Sequence, residues 1–292
     1  MKLLSFKIPI IFKFKEILNF KMTKAFDFKN AKILNLNKRG KFVISVLVLS
    51  SGVFVSEFFS GGSSLIIFSL LLATLTDILL FFILKEDIKK TFFLPILVLP
   101  FIYTLAFSLF YSVIPVRLLT RFLLTGLYGF GLYSLFLTQN IFAVSSIRTI
   151  NLLRSARIVS FVLTIVVLFL IINVSFALRP PFYVLSMLVF GWSFLLNFQS
   201  IWAYSLDKSF IYETFLSSIL ISFSLSELSL VLSIWPVDAS IFSIFLTGIF
   251  YAYSGLSHAW FERRLFKGVL WEYVWVGFLA ILILFIFSNW GI

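Results

Sequence analysis

The 292-residue sequence contains no cysteine and one histidine, His258. Without a thiol the chain forms no disulfide, holds no thiolate-ligated metal and has no cysteine nucleophile. A single imidazole rules out paired-histidine metal motifs, bis-histidine haem ligation and histidine relays, and no H-E-x-x-H is present for a metalloprotease. No metal, cofactor or catalytic residue is therefore expected. Charge is scarce as well. Charged residues make up 12% of the chain, against about 25% in a soluble domain, while 61% are hydrophobic and the mean hydropathy is +1.09. A water-soluble protein of this length could not cover its surface with so little polarity, so a bilayer is the solvent that fits.

What the chain has in abundance is phenylalanine, 40 residues, read with the frequent Ile, Lys and Asn as compositional drift. The net charge of +12 raises nucleic acid as a partner, but its placement argues otherwise. Eleven of the 24 Lys and Arg fall in residues 1–41, directly before the first apolar run. Phe and Lys alternate through this arm (Phe12, Lys13, Phe14, Lys15, Phe20, Lys21, Phe28, Lys29). Such a segment suits anionic lipid headgroups, with its rings in the interface. The expected organisation is thus a basic membrane-surface arm over 1–41 and a transmembrane domain over 42–292. The first span is expected to act as an uncleaved anchor.

A span needs about 20 predominantly apolar residues. The sequence predicts nine, at roughly 42–60, 64–84, 91–113, 118–138, 158–178, 182–204, 212–233, 240–257 and 269–288, in an all-α polytopic bundle. Gly61–Gly62, Arg179–Pro180–Pro181 and Trp235–Pro236–Val237–Asp238 read as turns. Cytoplasmic loops are enriched in Lys and Arg. With the N-terminus inside, only Arg117, Arg121 and Arg179 of the 24 basic residues lie outside, and the C-terminus is external. A bacterial cytoplasmic membrane is the expected location.

The longest connection, Thr138 to Arg157 (TQNIFAVSSIRTINLLRSAR), is itself apolar. An interfacial helix pinned by its three arginines is favoured over an extension of the fourth span. The stretch resembles a segment of uncharacterised multi-pass membrane proteins of small-genome bacteria, a resemblance that implies no activity.

Polar side chains in a bilayer core face protein or water, and on a 100° wheel they gather on three consecutive spans. The sixth carries Ser186, Ser193, Asn197, Ser200 and Tyr204 on one face, and the eighth a stripe of Ser240, Ser243, Thr247, Tyr251, Ser254 and His258. The seventh has two faces. One is a ladder of Ser218, Ser222, Ser226, Ser229 and Ser233; the other, about 120° away, lines up Glu213, Ser217, Ser224 and Glu227. An ionised Glu227 within hydrocarbon costs about 2.5–3.5 kcal/mol, so it calls for a partner. Arg121 is the expected one, with Arg117 one turn away on the same helix face. Asp77, in the second span, is expected to pair with Lys85 or a loop arginine by snorkelling.

Gly191-Trp192-Ser193 with His258 resembles the rhomboid protease arrangement, but Phe194 stands where a glycine is expected and no glycine follows His258. Gly126, Gly129 and Gly131 lack the Lys-Ser/Thr of a phosphate loop and read as close helix packing. The expected function is non-enzymatic: binding or translocating a small or lipid-like ligand in a polar seam between spans six to eight. Candidate ligand contacts are Glu227, Glu213, Asn197, Tyr251, Arg121, Arg117 and Asp77. Two alternatives stand beside it. One is a structural subunit that meets membrane-protein partners or itself. The other is an enzyme acting on a lipid-phosphate-linked substrate through Arg117, Arg121 and a carboxylate at the outer face.

Overall fold

A computed structural model of the chain describes residues 37–56, 63–88, 94–111, 113–114, 118–145, 152–205 and 211–288. The chain separates into two units, Met1–Asn37 and Lys38–Ile292. Residues 1–36 of the basic arm lie outside the described residues, as does Arg117. The described residues form nine helices and no strand: α1 (Lys38–Ser56), α2 (Ser63–Ile88), α3 (Leu94–Phe110), α4 (Leu118–Ser145), α5 (Leu153–Ala177), α6 (Phe182–Ser205), α7 (Ile211–Leu232), α8 (Ala239–Phe261) and α9 (Lys267–Ile286).

Each helix coincides with one expected span. Eight are long and apolar enough to cross a membrane, and α3 is a shorter apolar helix of 17 residues that runs unbroken through Pro100. The outer surface is itself apolar: Leu47, Leu71, Leu119, Phe130, Met187 and Phe278 are all exposed. An apolar exterior around partly polar helix contacts is the signature of an integral membrane protein.

The Thr138–Arg157 connection departs from expectation. Residues 138–145 continue α4 and residues 153–157 open α5, so no separate interfacial helix occupies those positions. The reason is packing. Thr138, Gln139, Phe142 and Ala143 are buried, and Ala156 is buried at the start of α5. The apolarity of this stretch belongs to helix-helix contact beyond the predicted span ends.

Helix α3 sits among α1, α2, α4, α5 and α6, while α5 sits among α3, α4, α6 and α8. These two helices form the centre. At the periphery α9 packs chiefly on α8, with only Ala280 and Leu284 buried among its described residues. Glycines set the closest approaches. A Cβ at Gly255 would collide with the Tyr273 ring, and one at Gly248 would lie 2.9 Å from the Ala280 Cβ. Spaced seven apart on α8, they let α9 come in close. Gly129 meets Ser50 of α1 and Gly131 meets the Tyr103 hydroxyl, whereas Gly126 faces open space. The close-packing reading thus holds for two of the three.

Two helix ends use an arginine where glycine is usual. Arg179 after α5 (φ 49°) and Arg263 after α8 (φ 55°) are left-handed. At α8 the motif is complete: Arg263 N donates to Trp260 O (3.0 Å) and Arg264 N to Ala259 O (2.8 Å), as in a Schellman end. At α5 only the bond from Arg179 N to Phe176 O forms, because Pro180 has no N–H to give the second.

Candidate functional site

Among the described residues, the predicted outer cluster does not bring Glu227 and Arg121 together. On α7 the serine ladder faces inward, with Ser218, Ser222, Ser226 and Ser229 buried, and Glu213 and Glu227 lie exposed on the opposite face. Small hydroxyl side chains allow close approach of α7 to α6, which leaves the long acids outside. Helix α4, which carries Arg121, is not among the helices packed on α7, so the Glu227–Arg121 pairing is not formed. Arg121 is half-buried, and its carbonyl accepts the Tyr111 hydroxyl at 3.3 Å.

The α6–α8 seam is built of direct contacts. Asn197 Oδ1 accepts the Ser254 hydroxyl at 2.9 Å, and Ser200 Oγ bonds His258 Nε2 at 3.0 Å. Ser186 donates to the carbonyl of Ser226 across to α7 (2.9 Å). Most other ladder serines turn back on their own helix, as Ser218 does to Thr214 O (2.7 Å) and Ser229 to Ser226 O (2.8 Å). Ser193 likewise donates to Val189 O at 2.6 Å, so His258 pairs with a serine two turns away from the rhomboid-like position. Tyr251 is half-buried, stacked on Phe161 at 5.6 Å and tilted against Tyr273 at 5.6 Å.

Two constellations appear that sequence patterning missed. One joins the start of α5 to the ends of α6 and α8. Arg157 donates from Nε to Ala203 O (3.0 Å) and from Nη2 to Tyr204 O (3.0 Å). These are last-turn carbonyls that a helix cannot satisfy itself. Its Nη1 reaches Glu262 Oε1 at 3.3 Å. His258 stacks on Tyr204 at 4.0 Å and meets Phe161 edge-on at 4.7 Å. The signal lies in Arg157 itself, the last residue of the connection that sequence reading places outside the fifth span.

The other constellation lies in α2–α4. Thr76 bonds Thr104 (3.0 Å), Thr104 bonds the Tyr128 hydroxyl (3.1 Å), and the Tyr103 hydroxyl donates to Tyr128 O (3.0 Å). Ser69 bonds Ser108 at 2.8 Å. Because Thr76 points into this network, Asp77, about 100° further round α2, is carried to the helix edge. There it lines a cavity of about 220 Å³ with Leu94, Leu97, Val98, Phe101 and Ile102 of α3 and Leu195 of α6. The five α3 residues recur at helical spacing and form one face. Leu94 and Leu195 are exposed, so the cavity is a groove on the bundle surface. Asp77 Oδ1 is buried with no hydrogen-bond partner. Among the described residues no ion pair joins it to Lys85 or an arginine, because Lys85 lies eight residues along and is exposed.

Residues 44–287, from α1 to just beyond α9, match the model of a single family. The chain belongs to that family, described as a protein of unknown function (DUF5656). The DUF5656 match takes in both constellations and the Asp77 groove and leaves out the basic arm. It agrees with the expected likeness to an uncharacterised family. No curated protein and no solved structure matches the chain.

Proposed function

We propose that the chain crosses a bacterial cytoplasmic membrane nine times, N-terminus inside and C-terminus outside, and binds a small or lipid-like ligand without chemistry of its own. Its basic arm then lies on anionic headgroups. At about 1.5 Å per residue, the 17 residues of α3 reach about 25 Å, close to the minimum for a span. Alternating spans bring the start of α5 and the ends of α6 and α8 to one side, in keeping with the Arg157 contacts. Since the native chain has no cysteine, single-cysteine variants can be labelled with an impermeant maleimide. Arg179→Cys should react in intact cells and Arg264→Cys only after permeabilisation.

The observation that carries the binding role is the Asp77 groove, an apolar surface cavity of about 220 Å³ holding one carboxyl oxygen without a partner. This reading takes the ligand site from the α6–α8 seam, where Ser186, Ser200 and Ser254 bond across helices, to the α2–α3–α6 surface. Binding pockets are largely apolar with a few placed polar groups, and the groove has that character. Mass spectrometry of small molecules co-purifying with the wild type and with Val98→Trp tests the reading. Loss of a bound species in the variant is expected; identical profiles would refute it.

An assembly subunit is the second reading, and α9 favours it. Trp271, Trp275, Phe278 and Phe285 are all exposed along a helix held chiefly by α8. Cross-linking from Phe278 within native membranes, with a protein adduct expected, tests that alternative.

A further inference from the structure

We infer that the occupant of the Asp77 groove is a lipophilic cation, an amine or quaternary ammonium on an apolar tail, entering from the bilayer with Asp77 as its counter-charge. This rests on the groove being a ligand site. The two threonine hydroxyls neighbouring Asp77 on its own helix are engaged elsewhere. Thr76 donates to Leu72 O (2.9 Å) and bonds Thr104 (3.0 Å), and Thr74 donates to Leu71 O (2.9 Å). The other described residues lining the groove are Leu, Val, Ile and Phe, whose side chains neither donate nor accept. Among the described residues lining it, a protonated Asp77 would find no side-chain acceptor, and an ionised one no cation. A ligand that brings its own positive charge satisfies the carboxylate.

The remaining features select for the same chemistry. An anionic headgroup would be repelled by Asp77, and a neutral acyl chain would leave its buried oxygen unpaired. Phe101 adds an aromatic surface, to which cations are drawn. The groove, at about 220 Å³, is below the usual range of about 300–1,000 Å³ for enclosed ligand pockets. It suits a compact head and the first part of a tail whose remainder stays in lipid.

The test uses the full chain in nanodiscs, with equilibrium binding of dodecyltrimethylammonium and of the neutral N,N-dimethyldodecanamide. Saturable binding of the cation is expected, weakened by about tenfold or more in Asp77→Asn, a change worth about 1.4 kcal/mol. The neutral probe should be indifferent to that substitution. Thermal unfolding of Asp77→Asn should match or exceed wild type, which separates loss of a ligand contact from loss of fold. Equal saturable binding of both probes, unchanged by Asp77→Asn, would overturn the cation assignment and leave the groove as a site. Saturable binding of neither probe would overturn it too. If Val98→Trp also left co-purifying molecules unchanged, the groove reading would fall with it.

Discussion

Arg157 and Tyr204 are joined twice: the guanidinium Nη2 donates to the Tyr204 carbonyl at 3.0 Å, and its Cζ lies 5.1 Å from the centre of the Tyr204 ring. The cation thus closes the end of α6 while resting on an aromatic face that itself stacks on His258.

Replacing Arg157 by Ala should lower stability by about 1.5–3 kcal/mol, the range for hydrogen bonds to a charged group. It removes two bonds to helix-end carbonyls and leaves Glu262 with the longer Arg264 contact at 3.8 Å. Arg157→Lys should recover only part of this, since an ammonium lacks the fork that serves both carbonyls and Glu262 together. Thermal unfolding in detergent reads both. Equal stability of Arg157→Ala and wild type would show that the clamp contributes nothing.

Gly131→Ala should destabilise while Gly126→Ala should not, although both lie in α4. A Cβ at 131 displaces the Tyr103 hydroxyl and with it the bond to Tyr128 O, at about 1–3 kcal/mol for overpacking. A Cβ at 126 meets nothing within 4 Å. Tyr103→Phe in the Gly131→Ala background should return part of the loss, a coupling that a double-mutant cycle measures.

Arg263→Gly should stabilise the chain by about 0.5–1 kcal/mol. The left-handed conformation at φ 55° disfavours a residue with a Cβ by about 1–2 kcal/mol, partly offset by the greater freedom of glycine in the unfolded chain. Arg179→Gly should act in the same direction. An unchanged or lowered unfolding temperature for both would count against strain at these ends.

Ser222→Leu and Glu227→Leu, on opposite faces of α7, should diverge. Ser222 is fully buried, and a leucine there should cost about 1–3 kcal/mol. Glu227 is exposed, so leucine there should leave stability unchanged or improve it. The reverse pattern would place the acid, not the serine ladder, on the inner face.

These contrasts show what the sequence could and could not disclose. Run length and turn residues located the nine helices of the described residues, because a bilayer demands long apolar stretches between polar ends. The wheel also separated the faces of α7 correctly. It did not say which face looks inward, and the assumption that an acid must seek the interior put Glu227 on the wrong side. Size decided the matter: serine permits close packing on α6 and glutamate does not. The α2–α4 network escaped notice because Thr76, Thr104 and Tyr128 are single polar residues on different helices, with no stripe on any one of them. Arg157 was hidden by the span boundary, drawn one residue too late to include it. Asp77 was recognised as a buried acid, but its groove depends on where α3 and α6 meet α2.

The central position of α5 sets a timetable. Its neighbours α3 and α4 precede it in the chain, while α8 follows after two intervening helices. Phe161, whose ring meets both Tyr251 and His258 of α8, therefore waits for its partners during synthesis. At about 5–20 residues per second, the roughly 60 residues from Ala177 to Ala239 delay α8 by several seconds. In that interval the half-bundle α1–α4 can close, while the α8-facing side of α5 is held by lipid or by an escort of the nascent chain. Assembly is thus ordered by the chain itself, and the last helices complete a centre laid down before them.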